Sequence, residues 1–170
     1  MDRAVEAFAA LQKRYADDER IRATQLWIVC LLDGASKDGL LSRAKRLGLN
    51  GNVKLTGFVS DAALVELYQK ARCLFFPSLY EGFGLPLLEG LACGLPAACS
   101  NSSSLPEVGG ELAHYFDPYN VEEMADSLYK VLSEPMDYMS RVRRHEYSKT
   151  YSWQKTARAT LKAFADTARR

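Results

Sequence analysis

The sequence predicts an α/β protein built on a parallel sheet with helices on both faces. Short apolar runs recur at 26–32, 53–58, 73–76, 96–100 and 112–116. Each is too short for a typical helix, and segments with helical spacing separate them. Strands alternating with helices at this interval imply parallel pairing through crossover helices.

The elements follow in order. Val5, Phe8, Leu11 and Tyr15 stand at helical spacing, so an amphipathic helix over 3–15 opens the chain. Leu26-Trp27-Ile28-Val29-Cys30-Leu31-Leu32 reads as a strand buried on both faces. Asp33-Gly34 breaks it, and 38–47 forms a second helix that stops at Gly48. A strand over 53–58 comes next, and Ser60 caps a helix over 61–71 with Leu64, Leu67 and Tyr68 on its inner face. The strand 73–76 leads through a glycine-bearing loop into a helix from Leu85 to about Cys93. Strands over 96–100 and 112–116 follow. Asn120 with Glu123 three residues on marks a capping box for a helix over 121–132. After Pro135 come two more helical segments, one to about Lys149 and one over 153–168.

A chain of 170 residues suits one domain. Its 48% hydrophobic and 25% charged residues are those of an ordinary globular protein. A formal net charge of +1 gives no electrostatic footprint for nucleic acid. Arg141, Arg143 and Arg144 read as a solvated helix face, with anionic lipid, a peripheral membrane contact, or an acidic partner as the alternative. Cys30, Cys73, Cys93 and Cys99 form no Cys-x-x-Cys pair and read as reduced thiols, those of Cys30 and Cys73 buried in strands. No His, Cys or carboxylate cluster has metal-ligand spacing, so neither a metal nor a cofactor is expected. His114 and His145 read as packing or surface residues. No apolar run approaches the roughly 20 residues of a membrane span, and the expected compartment is the cytoplasm.

The densest chemistry lies in Phe75-Phe76-Pro77-Ser78-Leu79-Tyr80-Glu81-Gly82-Phe83-Gly84-Leu85-Pro86-Leu87-Leu88-Glu89. Gly82 and Gly84 let the backbone approach a ligand, and Pro86 suits a first helical turn. Free N–H groups at a helix start attract anions, and carboxylates accept hydrogen bonds from hydroxyls. Glu81 and Glu89 flank the turn, so the segment suits a ligand that is part phosphate and part sugar. Blander readings stand beside this one: Glu81 as an exposed loop acid, Glu89 as a first-turn acid opposing the helix dipole, the glycines as plain turn formers, and Ser60 as a helix cap only. Ligands of open α/β sheets bind beyond the carboxyl ends of the strands. The Glu81 loop and the loops 57–61 and 100–107 all follow strands and are expected to lie together there.

This segment, continued by Ala92-Cys93-Gly94-Leu95-Pro96 and Ser103-Ser104-Leu105-Pro106-Glu107-Val108, resembles the donor half of a retaining GT-B glycosyltransferase, nearest to glycosyltransferase family four. Leu55-Thr56-Gly57-Phe58-Val59-Ser60-Asp61, Phe116-Asp117-Pro118 and Tyr151-Ser152-Trp153 extend the match. The resemblance implies a Rossmann-like sheet, one half of a GT-B fold, with 1–170 as a nucleotide-sugar donor-binding domain. It implies that Glu81 acts catalytically on the donor sugar and that Glu89 binds the ribose. Gly82, Phe83, Gly84 and Leu85 would meet sugar and distal phosphate through main-chain N–H groups, and Phe58 and Val59 would hold the base. The implied enzyme moves a hexose from a nucleoside-diphosphate sugar to an acceptor hydroxyl with retention of configuration.

The match also has departures. Ala7-Phe8 aligns with the end of the family's first helix, which places the preceding strand and the Arg–Lys diphosphate clamp ahead of Met1. Leu32-Asp33-Gly34 replaces the family's Gly-Asp-Gly turn. The expectation is a donor domain without its first strand, without the acceptor domain, and inactive alone. Its last helical segment, about 152–168, is expected to pack on that missing domain. The alternative is a non-catalytic nucleotide-sugar-binding or regulatory module with a separate acceptor-domain partner, and a third reading is another GT-B enzyme such as an epimerase or phosphorylase. In the strand order of a doubly wound sheet, the absent strand would lie between 26–32 and 73–76. Direct closure of those strands, local disorder around the first helix, or an added strand or dimer contact are the expected ways to fill its place, the last being favoured.

Overall fold

Alternating strands and helices run through the computed structural model, which describes residues 1–168. In chain order they are α1 (Asp2–Arg14), α2 (Glu19–Arg22), β1 (Leu26–Ile28), α3 (Gly34–Arg46), β2 (Val53–Leu55), α4 (Asp61–Lys70), β3 (Leu74–Phe76) and α5 (Leu85–Ala92). Then come β4 (Ala97–Ser100), α6 (Leu105–Gly109), a single 3-10 turn, β5 (Ala113–Phe116), α7 (Val121–Ser133), α8 (Tyr138–Ser148) and α9 (Trp153–Thr167). All strand pairs are parallel, as crossover helices require.

The strands form two sheets rather than one. β1 pairs with β2, while β3, β4 and β5 pair in that order, and β1 is not hydrogen-bonded to β3. Helix α1 is nonetheless well formed, with Val5, Phe8 and Leu11 buried. Neither closure of β1 onto β3 nor loss of the first helix therefore fills the expected gap.

Alternation along the strands builds two cores. Phe75, Ala98 and Phe116 face a layer made by α1, α3 and α7, where Val5, Phe8, Met124 and Leu128 are buried. Leu74, Phe76, Ala97, Cys99 and Tyr115 face the opposite layer, with Leu87, Leu91, Leu105 and Val108 from α5 and α6. The three-stranded sheet is thus covered on both faces. In the other sheet only Leu26, Ile28, Val53 and Leu55 are covered, and Trp27 on the opposite face remains 52% exposed.

This corrects the expected strand 26–32. Only Leu26–Ile28 is strand, Leu31 is 80% exposed, and Cys30 is half-buried in the loop beyond it. Without a second neighbour strand or a covering helix, the apolar run has nothing to extend its pairing or bury its outer face. Likewise β2 ends at Leu55, three residues earlier than 53–58. Helix α3 begins four residues before 38, because Asp33 caps it rather than merely breaking the strand: its carboxylate accepts from Ser36 N–H at 2.7 Å. The other expected elements appear within a few residues. Asn120 accepts from the N–H groups of Glu122 and Glu123, while Glu123 receives the Asp117 N–H, so the capping box is shifted by one partner. The short helices α2 and α6 carried no periodic signal.

Burial also sets the cysteine chemistry. It pushes the Cys73 and Cys99 thiols up to about 12, so both remain protonated and inert. All four cysteines are free.

Candidate functional site

The Glu81 loop leaves the carboxyl end of β3 and enters α5 at Gly84. Gly84 has φ 100°, a left-handed conformation, and a Cβ there would stand 2.6 Å from Leu105 Cδ2. Only glycine satisfies both conditions. Glycine at 84 thus lets the first turn of α5 lie directly against the start of α6, and Pro86 follows at the front of the helix.

A serine pair from the loop after β4 holds the Glu81 loop. Ser103 Oγ accepts from the Glu81 N–H at 2.9 Å. Ser104 Oγ reaches the carbonyls of Phe83 at 2.8 Å and Glu81 at 3.1 Å. Ser103 takes a positive φ of 49°, a strained choice for a non-glycine residue. The expected meeting of the 100–107 loop with the Glu81 loop is therefore direct. Sequence reading put Ser103, Ser104 and Leu105 on the ligand side without assigning them contacts. A hydroxyl pair between a strand end and a Leu-Pro helix start was the available signal.

With Glu81 N–H taken by Ser103, no acceptor among the described residues meets the N–H groups of Gly82, Phe83, Gly84 or Leu85. Glu81 is half-buried, whereas Gly82, Phe83, Leu85 and Glu89 are exposed. Phe83 is steadied by an edge-to-face contact with Tyr151 at 5.6 Å between ring centroids. The cluster thus offers unpaired donors at a helix start with a carboxylate on either side.

Glu89 lies in the second turn of α5, so it is not the first-turn acid that would offset the helix dipole. Its Oε2 accepts from Tyr68 Oη at 3.1 Å, and the same hydroxyl approaches the Pro86 carbonyl at 3.4 Å. Burial, then the Glu89 charge, raises the Tyr68 pKa, so the hydroxyl stays a donor. Glu89 Oε1 is left for another partner. Leu64, Leu67 and Tyr68 form the half-buried face of α4, as expected, although no residue of that helix is fully buried.

Phe58 and Val59 stand in the loop after β2, at the same carboxyl end of the strands. Phe58 is 83% exposed, and Ser60 caps α4 by accepting from Ala63 N–H at 3.3 Å. No hydrogen bond joins this loop to the Glu81 loop among the described residues. Shallow hollows elsewhere, one near Leu41 and Asn50 and one near Gly110 and Tyr147, share no lining with the Glu81 loop. His114 meets Glu134, which also pairs with buried Arg144, and His145 Nδ1 meets the Ala92 carbonyl at 2.6 Å. His114 thus ties β5 to the turn before α8, and His145 ties α8 to the end of α5. The arginine run is not the solvated face expected: Arg144 is buried on Glu134, Arg141 is half-buried and donates to the Cys93 carbonyl at 3.4 Å, and Arg143 is exposed. No group of metal-ligating side chains occurs among the described residues, and none of their helices is long and apolar enough to cross a membrane.

The parallel α/β domain, with its donor-rich loop at the carboxyl end of β3, has the fold of one half of the GT-B architecture, as its likeness to solved structures shows. The sucrose-phosphate synthase of Thermosynechococcus elongatus superposes with a TM-score of 0.79 at 20% identity, over 96% of this chain and 42% of that one. WaaG, a glycosyltransferase involved in lipopolysaccharide biosynthesis, gives 0.69 at 24% identity, over 89% of this chain and 39% of that one. Residues 1–151 match the family model described as Glycosyl transferases group 1, and the chain belongs to that family. It is 36% identical over 132 residues to the O-antigen chain mannosyltransferase B of Escherichia coli, covering 77% of this chain and 35% of that protein. It is 33% identical over 123 residues to the MMP alpha-(1->4)-mannosyltransferase of Mycolicibacterium hassiacum, covering 69% and 30%. The chain therefore spans about a third of the length of these relatives.

Proposed function

We propose that this chain is the donor-binding half of a retaining glycosyltransferase that moves a hexose from a nucleoside-diphosphate sugar to an acceptor hydroxyl. The observation that carries this reading is the run of unpaired N–H groups from Gly82 to Leu85, set between Glu81 and Glu89. In this reading those N–H groups receive the distal phosphate and the sugar oxygens. Hydrogen bonds to a charged group contribute about 1.5–3 kcal/mol each, more than neutral ones. Glu81 accepts hydrogen bonds from donor-sugar hydroxyls and aligns the reacting carbon. Glu89, with Oε2 already held by Tyr68, turns Oε1 to the ribose. Phe58 and Val59 supply the wall against the base. Several relatives are named mannosyltransferases, which makes mannose the first hexose to test.

The site is open, with Phe58, Phe83 and Leu85 exposed around it. Transfer needs a second wall to exclude water and position the acceptor. In this reading an acceptor domain supplies that wall, and α9 packs on it. That helix has no buried residue, and Trp153, Leu161 and Phe164 form an exposed apolar stripe. The free thiols support a reducing compartment, the cytoplasm. The openness also favours a second reading, a nucleotide-sugar-binding module that acts with a separate acceptor-domain partner.

Titration calorimetry with a panel of nucleoside diphosphates and nucleotide-sugars, mannose donors included, tests the assignment. Weak binding that Glu89→Ala weakens further is expected; equal affinity of the two proteins for a nucleotide that binds would remove Glu89 from the site. Transfer by residues 1–170 alone should be negligible. Turnover that Glu81→Ala abolishes would refute the half-enzyme reading.

A further inference from the structure

Tyr151 reaches the Glu81 loop from far along the sequence. It lies in the short link between α8 and α9. Its N–H donates to the Ser148 carbonyl at 3.1 Å, so its backbone is carried by the end of α8. That helix is held in turn to the end of α5, by His145 Nδ1 at the Ala92 carbonyl (2.6 Å) and by Arg141 at the Cys93 carbonyl (3.4 Å). The link is therefore braced by the same helix that the Glu81 loop enters.

The Tyr151 side chain meets both ligand-side loops. Its ring stands against Phe83 at 5.6 Å between centroids and 83° between planes, an edge-to-face pair. Its hydroxyl donates to the Glu107 carbonyl of α6 at 3.0 Å. Tyr147 meets the same ring at 6.1 Å, and Tyr147 itself packs on the buried cluster that α5 and α6 share.

Phe83 is thus held at two points, its carbonyl by Ser104 Oγ at 2.8 Å and its ring by Tyr151. Ser104 stands just before α6 and Glu107 lies within it, so both holds lead back to one helix. A bond at the carbonyl alone leaves the loop free to pivot about it. The second hold, on the side chain, removes that pivot and fixes where the flanking N–H groups point. Core burial does not do this instead, since Phe83 is 39% exposed.

We propose that Tyr151 is a positioning residue for the Glu81 loop, acting through the Phe83 ring to fix the aim of the N–H groups from Gly82 to Leu85. This rests on the reading that those groups bind a nucleoside diphosphate. The ring does the positioning, and the hydroxyl locks the ring to α6.

The first test needs no ligand. NMR relaxation gives order parameters for the amides of Gly82, Phe83, Gly84 and Leu85 in the 170-residue chain. In Tyr151→Leu they should fall from a rigid value of about 0.85 toward about 0.6. Tyr151→Phe, which keeps the ring, should match wild type. Phe83→Leu breaks the same pair from the exposed side and should release the amides equally, which answers the question even where Tyr151→Leu does not fold. Calorimetry with uridine and guanosine diphosphates follows. Tyr151→Leu should weaken binding roughly three- to tenfold, the worth of one aromatic pair, while Tyr151→Phe binds as wild type does. On a Phe83→Leu background Tyr151→Leu should cost no further affinity, because its partner is already gone; a merely structural role would cost as much there as in wild type. Unchanged order parameters in Tyr151→Leu or Phe83→Leu, or additive losses of affinity in the double variant, would overturn the proposal. A wild type that binds neither diphosphate would sink the reading of the site, and the order parameters would then decide alone whether Tyr151 positions the loop.

Discussion

Ser104 Oγ donates to the Phe83 carbonyl at 2.8 Å and thereby fixes the loop from a different βα turn than the one that bears it. The bond crosses from the start of α6 to the start of α5, so the N–H groups of Gly82 to Leu85 are aimed by a neighbouring loop. Preorganised donors need no rearrangement when an anion arrives, and this is where their advantage over water lies.

Removing that hydroxyl should loosen the loop without unfolding the domain. A net hydrogen bond contributes about 1 kcal/mol, so Ser104→Ala should weaken nucleotide binding by roughly fivefold, with a small fall in Tm. Ser104→Thr, which keeps the donor, should lie near wild type. Calorimetry on the three proteins checks this. Unchanged affinity in Ser104→Ala would show that the loop is set by Gly84 and Ser103 alone.

Gly84→Ala should be more severe. The added Cβ meets Leu105 Cδ2 at 2.6 Å while φ stays at 100°, so overpacking and backbone strain combine. Each term is worth about 1–3 kcal/mol, and urea denaturation should show a loss of at least 2 kcal/mol. Adding Leu105→Val should recover the steric part only. A full recovery would mean that the positive φ costs little here.

The order of elements was legible because burial and period agree along most of the chain. Leu74, Phe76, Ala97 and Cys99 face one core while Phe75 and Ala98 face the other, and both sets are apolar. The same logic failed at Val29 to Leu32, where the apolar run predicts a covered strand and the fold supplies no cover. The Glu81 loop was legible from its glycines and Pro86. Its supports were not: Tyr68 reads as an inner-face residue, and nothing in the spacing of Ser104 says that it meets Phe83 21 residues away. Contacts between loops of different βα units depend on how the strands are ordered, and the local pattern does not contain that order.

Acid should act through the helix caps. Asp33 and Asp137 each accept a backbone N–H and a serine hydroxyl, from Ser36 and Ser140 respectively. The backbone bond first, then the hydroxyl, holds each carboxyl below its ordinary value of 3.8. A group depressed in the folded state stabilises it fully above the unfolded pKa, and that contribution is lost as pH falls through the folded one. Wild type should therefore lose Tm as pH drops below about 4, partly through these caps. Asn accepts the same N–H without ionising, so Asp33→Asn with Asp137→Asn should be less stable than wild type near neutrality. The gap should close as pH falls through the depressed values. Thermal melts from pH 7 downward measure it. A difference between the two proteins that stays constant across that range would show that the cap carboxylates are not tuned by their helices.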